Sequence, residues 1–275
     1  MTASAPLREL ADGKLLIDEP VDGVVRLTIS NPEKRNALDH PILDAITATL
    51  CELALPGARA RCVLVTGAHG MFSAGYDIGE IPGAELQKRA ERLVAHPFTD
   101  AIDALESHPY PTLAALPGHT IGGGLELALA CDLRIAAQPI KLGMPPAKLG
   151  LVYSHTGLRR FLDAIGAART RELFLLGTYI DTDTALAWGL VNRVVASEEL
   201  EARALEMSGE LAANAPLAQT GNKRVIAALL SAEGALPTTV EEELIELRRA
   251  SFASDDIREG IRAFAEKRPP RWQGR

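Results

Sequence analysis

Two loops of small residues, each following a run that reads as a buried strand, constrain this chain more than any other feature. Arg61-Cys62-Val63-Leu64-Val65-Thr66 leads into Phe72-Ser73-Ala74-Gly75-Tyr76-Asp77, and Thr112-Leu113-Ala114-Ala115-Leu116 leads into Ile121-Gly122-Gly123-Gly124-Leu125-Glu126. Glycine lets a ligand approach the backbone closely and leaves peptide N–H groups able to point at it. Two such groups converging on one carbonyl oxygen form an oxyanion hole, often the largest electrostatic term in acyl chemistry. Glu126 lies three residues past Gly123, in the first turn of an apolar helix, which places a carboxylate beside such a hole.

Around these loops the pattern alternates between strand and helix. Leu15-Leu16-Ile17 and Val24–Ile29 read as strands joined through Asp22-Gly23, a hairpin signal. Asp39 is placed to cap a helix with Pro41 in its first turn and Ile42, Leu43, Ile46, Leu50 and Leu53 on one face. Residues 83–108 read as a mostly helical, polar segment and as the mobile part of the neighbourhood. Asp132–Ala137 reads as another strand, and the Ala-, Glu- and Arg-rich stretch from Ser197 onward as helices, with Pro216 in the first turn of one. The alternation predicts an α/β fold with largely parallel pairing.

Composition limits the partners. In 275 residues, 47% are hydrophobic and 24% charged, enough for a sizeable core. A net charge of −7 argues against nucleic acid and anionic membranes as general partners, though not against an anionic small ligand. No apolar run approaches the roughly 20 residues of a membrane helix, and no signal peptide is evident, so a soluble cytoplasmic protein is expected. Cys51, Cys62 and Cys131 are isolated and read as reduced core thiols. The six histidines, His119 and His155 among them, show no metal spacing, so no metal is expected. Dinucleotide and phosphate-loop glycine patterns are absent, and Met71 removes the glycine a serine-hydrolase elbow around Ser73 needs.

Four segments together resemble the enoyl-CoA hydratase/isomerase (crotonase) superfamily: Asn31-Pro32-Glu33-Lys34-Arg35-Asn36-Ala37-Leu38, Phe72–Ile78, the Gly122–Glu126 run, and the tail Glu259–Arg268. The resemblance implies a crotonase-type spiral of ββα units, with residues 1–196 as the core carrying an acyl-CoA site and 197–275 as a helical C-terminal trimerisation region. It implies an acyl-CoA substrate, no separate cofactor because coenzyme A is part of that substrate, and a homotrimer or a dimer of trimers. Ile257, Ile261 and Phe264 form the expected apolar stripe of the last helix.

Carried over residue by residue, the resemblance gives the oxyanion donors as the N–H groups of Tyr76 and Gly123 and makes Glu126 one of two catalytic glutamates. It places Arg35, Ala74, Asp77, Ile78, Phe264 and Lys267 around coenzyme A, the last two across a subunit boundary. Burial beside Leu125 and Leu127 is expected to raise the Glu126 pKa. The sequence departs from the hydratases at Pro146, where their second glutamate stands. Met144–Tyr153 is instead similar to methylmalonyl-CoA decarboxylases, in which a tyrosine at the position of Tyr153 faces the substrate; those enzymes carry histidine where this chain has Tyr76. The expected reaction is decarboxylation of a small malonyl-type CoA ester. The alternatives are an enoyl-CoA hydratase or isomerase with an altered acid set and, in another class, a non-catalytic acyl-CoA-binding subunit.

Overall fold

The computed structural model describes residues 8–77, 97–233, 237–271 and 273. The main sheet has seven strands in the order β1-β2-β3-β4-β5-β7-β10: β1 Arg8–Leu10, β2 Leu15–Val21, β3 Val24–Ile29, β4 Cys62–Gly67, β5 Thr112–Leu116, β7 Leu133–Gln138 and β10 Arg193–Ala196. The first three strands pair antiparallel, and every pairing from β3 to β10 is parallel. Three two-residue strands, β6 Thr120–Ile121, β8 Leu142–Gly143 and β9 Tyr179–Ile180, make a second sheet. The central parallel strands β4 and β5 are apolar runs buried nearly along their length, as strands covered on both faces must be, whereas the edge strand β10 is exposed or half-buried.

The expected hairpin turns at Asp22-Gly23, and α1 (His40–Leu53) begins at Asp39, whose carboxylate accepts from the Ile42 N–H at 3.0 Å. Ile42, Leu43, Ile46 and Leu50 are buried. Two strands start one residue later than the sequence suggests, at Cys62 and Leu133. At the second, Asp132 stays outside because its carboxylate accepts from the Thr112 N–H (2.7 Å) and Lys223 Nζ (2.7 Å), tying together the ends of two neighbouring strands. Of the expected helical segment 83–108, the described part is α2 (Pro97–Glu106); residues 78–96 lie outside the described residues, including Ile78. Cys62 and Cys131 are buried thiols, but Cys51 is exposed on α1.

The loop after β5 and the short β6 lead into α3 (Gly123–Ala130), all eight residues of which are buried. A 3₁₀ turn at Pro146–Leu149 precedes α4 (His155–Arg171). Then come α5 (Thr182–Trp188), α6 (Leu200–Ala213), α7 (Pro216–Glu233), α8 (Thr238–Ala253) and α9 (Asp255–Ala265). Leu200, Ala204 and Met207 of α6 join the main core, whereas Leu217, Val225, Ile226 and Leu229 of α7 are exposed. The last helix closes tightly on the 3₁₀ turn. A Cβ on Gly260 would stand 2.5 Å from the Leu149 carbonyl oxygen, and one on Gly150 would stand 2.8 Å from the Asp256 carbonyl carbon. Ile257 is buried there and Ile261 half-buried, but Phe264 is 70% exposed, so the expected stripe is covered at one end only. Among the described residues, no helix is long and apolar enough to cross a membrane.

Candidate active site

Backbone geometry brings the two small-residue loops together. Gly122 adopts φ 56°, ψ −128° just before α3, and Gly75 adopts φ 97°; side chains rarely adopt such backbone. A Cβ on Gly75 would stand 2.9 Å from the Ile121 carbonyl oxygen and 3.2 Å from the Gly123 nitrogen, so these chains touch backbone to backbone. The Ile121 N–H donates to the Ser73 carbonyl at 3.0 Å, and the Ser73 hydroxyl accepts from the Gly75 N–H at 3.1 Å. Gly124 completes the contact, because a Cβ there would stand 2.6 Å from Ser73 Cβ.

Leu38 bridges to Tyr76: the Leu38 N–H donates to Gly75 and the Leu38 carbonyl accepts from Asp77. In such a parallel bridge, Tyr76's own peptide groups face away from Leu38. Gly123 is the first residue of α3, where helical N–H groups have no partner within the helix. The expected donor pair therefore sits at one crossing of two loops. The aromatic ring of Tyr76 lies over Gly123, with Cε2 3.0 Å from where a Cβ would stand, and meets Phe98 edge-on at 4.4 Å between centroids.

Behind this crossing lies a chain of polar side chains. Glu126 is 2% exposed. The Tyr153 hydroxyl donates a short hydrogen bond to Glu126 Oε2, and Arg160 Nη1 donates to Glu126 Oε1 at 3.3 Å. Tyr153 also hydrogen-bonds Tyr76 through their side chains and packs edge-on against Phe174 at 5.4 Å. Burial pushes the Glu126 carboxyl up to about 7; the Tyr153 hydrogen bond and the Arg160 charge oppose it without winning. A helix N-terminus favours a carboxylate by about 0.3–1 kcal/mol at exposed sites, too little to offset that burial. The Tyr153 hydroxyl is raised well above its ordinary value by burial first and by the Glu126 charge second.

The loop residues are held from the other side. Asn36 is fully buried, accepts from the Asn31 N–H at 2.8 Å and donates to the Ala68 and Met71 carbonyls at 2.9 and 2.7 Å. Ala74 N–H donates to the Arg35 carbonyl at 3.1 Å, leaving the Arg35 side chain exposed. Lys34 Nζ meets Asp77 Oδ2 at 2.5 Å. Arg35, Ala74 and Asp77 thus border one loop junction. Phe264 and Lys267 are exposed on and just beyond α9, at the other side of the 3₁₀ turn. His119 accepts from the Lys141 N–H (3.0 Å) and His155 faces Glu241 (3.4 Å), ordinary polar roles. Pro146 is buried at the start of its 3₁₀ turn and contributes no carboxylate.

Arg160 was not predicted from the sequence, nor was Gly157. Arg160 lies among the charges of an amphipathic helix, where Arg159 pairs with Asp163 at 2.7 Å, and only its direction distinguishes it. Gly157 sits in the first turn of α4, its N–H capped by the Ser154 hydroxyl at 3.1 Å.

Comparison with known proteins identifies the family. Residues 19–275 match the enoyl-CoA hydratase/isomerase family. The chain is 35% identical to a probable enoyl-CoA hydratase of Mycobacterium leprae, over 93% of this chain and 97% of that protein. It is 30% identical to the methylmalonyl-CoA decarboxylase of Escherichia coli, over 92% and 96%. A solved methylmalonyl-CoA decarboxylase in complex with 2-nitronate-propionyl-CoA superposes with a TM-score of 0.85 at 29% identity, over 95% of this chain and 99% of that one. The chain belongs to the enoyl-CoA hydratase/isomerase (crotonase) superfamily of enzymes that act on acyl-CoA thioesters.

Proposed function

We propose that this enzyme decarboxylates a small malonyl-type CoA ester. The observation that carries the reading is the Tyr153–Glu126 pair, taken with Pro146, which brings no second carboxylate. Hydration of an enoyl ester needs one group to orient water and another to deliver a proton, whereas decarboxylation needs mainly a stabilised enolate. In this reading the thioester oxygen lies between the N–H groups of Tyr76 and Gly123. The bond from Cα to the free carboxylate breaks, CO₂ leaves, and the electron pair passes into the enolate held by those donors. A proton then returns to Cα to give the shortened acyl-CoA.

Glu126 and Tyr153 handle the charge of the leaving group. With Glu126 protonated near neutrality, its acid proton can be donated to Tyr153 Oη, which turns the phenol hydrogen toward the substrate carboxylate. Tyr76, linked to Tyr153, adds a second hydroxyl where the decarboxylases named above carry histidine. The coenzyme A moiety is assigned to Arg35, Ala74, Asp77 and Ile78, with Phe264 and Lys267 supplied by a neighbouring subunit. The exposed apolar residues Leu217, Leu229 and Phe264 (87%, 63% and 70%) support a closed assembly, a trimer or a dimer of trimers.

The test is product analysis. Wild type is expected to release CO₂ from methylmalonyl-CoA or a homologue and to hydrate crotonyl-CoA poorly; Tyr153→Phe should cut CO₂ release while coenzyme A affinity is retained. Efficient hydration with no CO₂ from any malonyl-type ester overturns the reading. It would favour a hydratase or isomerase using Glu126 as its acid, the alternative that the titration of Glu126 near neutrality supports.

A further inference from the structure

Arg160 is contested by two carboxylates. Its Nε and Nη2 donate to the two oxygens of Glu106 at 2.5 and 2.8 Å, a bidentate pair on α2, while Nη1 reaches Glu126 with one bond of 3.3 Å. Asp103, one turn earlier on α2, takes a weaker share at 3.5 Å. Bidentate charge-assisted bonds below about 2.9 Å are the strong ones, and a single contact at 3.3 Å lies on the weak edge of the range. The Arg160 side chain is only 13% exposed, so this division is not washed out by solvent.

We propose that Arg160 is a positioning residue whose charge is divided between Glu106 and Glu126, and that Glu106, by holding the larger share, sets how readily the active-site carboxyl keeps its proton. The inference rests on Glu126 serving the reaction, as proposed above. Among the described residues, the groups acting on Glu126 are Tyr153 from the loop before α4, Arg160 from α4 and Glu106 on α2; Asp103 on α2 faces Arg160 instead, and α3 itself carries no other charge. Burial holds the Tyr153 hydroxyl well above its ordinary pKa, leaving Arg160 as the one cation in contact among the described residues. Withdrawing it toward Glu106 leaves Glu126 buried with little compensation, and the negative charge of Glu106 itself pushes the same way.

The two partners therefore have opposite effects on removal. Losing the Glu106 charge releases Arg160 to Glu126, which should then ionise more easily. Losing the Arg160 charge strips Glu126 of the one contacting cation among the described residues, which should make it ionise less easily. A merely structural role for either residue would not produce shifts of opposite sign.

The experiment follows the carboxyl carbon of Glu126 by NMR in protein labelled with [δ-¹³C]glutamate, the signal being assigned by its loss in Glu126→Gln. Glu106→Gln is expected to lower the titration midpoint by about 1 unit and Arg160→Gln to raise it by about as much, with Arg160→Lys in between. An unmoved midpoint in Glu106→Gln, or shifts of the same sign, overturns the proposal. If Arg160→Gln does not fold, Glu106→Gln and Arg160→Lys decide the matter between them. This readout needs no turnover, so it stands apart from the reaction. CO₂ release with an unmoved midpoint removes only the role of Arg160, and opposite shifts without CO₂ release remove only the decarboxylase reading.

Discussion

Gly157 leaves the space that Tyr153 occupies: a Cβ on Gly157 would stand 2.6 Å from Tyr153 Cε1 and 2.8 Å from Glu126 Oε1. Gly157 has no unusual φ, so its backbone tolerates alanine, and helix propensity alone would favour the change by about 1 kcal/mol. Overpacking opposes it by about 1–3 kcal/mol and displaces both functional groups. Gly157→Ala is expected to lower turnover by about 100-fold, since a shift of ~1 Å at reacting groups has that effect. Normal turnover with an unchanged melting temperature would contradict the packing described.

Gly123→Pro removes the α3 N–H assigned to the thioester oxygen. Loss of one such donor is expected to reduce turnover by roughly 100-fold or more. Because any Cβ there meets the Tyr76 ring at 3.0–3.2 Å, Gly123→Ala is the control. It displaces the ring but keeps the amide, and should retain more activity than the proline variant. Equal kcat in the two, with circular dichroism showing both folded, would sink the donor assignment.

Glu126 makes stability depend on pH in an unusual direction for a carboxylate. Its carboxyl titrates at about 7 in the fold against 4.5 ordinarily, so between those values the folded protein binds more protons than the unfolded chain. Stability contributed by this group is complete below about pH 4.5 and is lost as pH rises through 7, a loss of order 3 kcal/mol. Urea unfolding at pH 5 and pH 8 should therefore show wild type losing ground to Glu126→Gln by about that amount. A pH-independent difference between the two proteins would contradict the burial assigned to Glu126.

Arg35 is exposed beside the Ala74 loop, and the phosphates of coenzyme A call for such a cation. Arg35→Ala is expected to weaken coenzyme A ester binding, more strongly at low salt than at high, because exposed charges are screened within about 10 Å at 0.1 M salt. Calorimetry returning equal affinities for both proteins at every salt concentration would remove Arg35 from the site.

Legibility in the sequence followed locality. Gly123 and Glu126 share one turn of one helix, so their relationship is written in consecutive residues, as is the capping of α1 by Asp39. The Tyr153–Glu126 contact spans 27 residues and was approached only through resemblance. The Glu106–Arg160 pair spans 54 residues between two helix surfaces that look like ordinary solvated faces, and no periodicity signals it. The three-residue β1 and the two-residue strands of the second sheet are too short for an alternation pattern; their pairing comes from the loops they join. Phe264 reads as core from its spacing, yet α9 buries Ile257 against the 3₁₀ turn and leaves Phe264 outside.

The seam between Gly150, Gly260 and the Leu149 and Asp256 backbones has a mechanical consequence. Two backbones in contact cannot slide without breaking apart, so the C-terminal helix acts as a backstop for the turn that ends four residues before Tyr153. A subunit neighbour that grips α9 would then be gripping, through that rigid seam, the residue that meets Glu126.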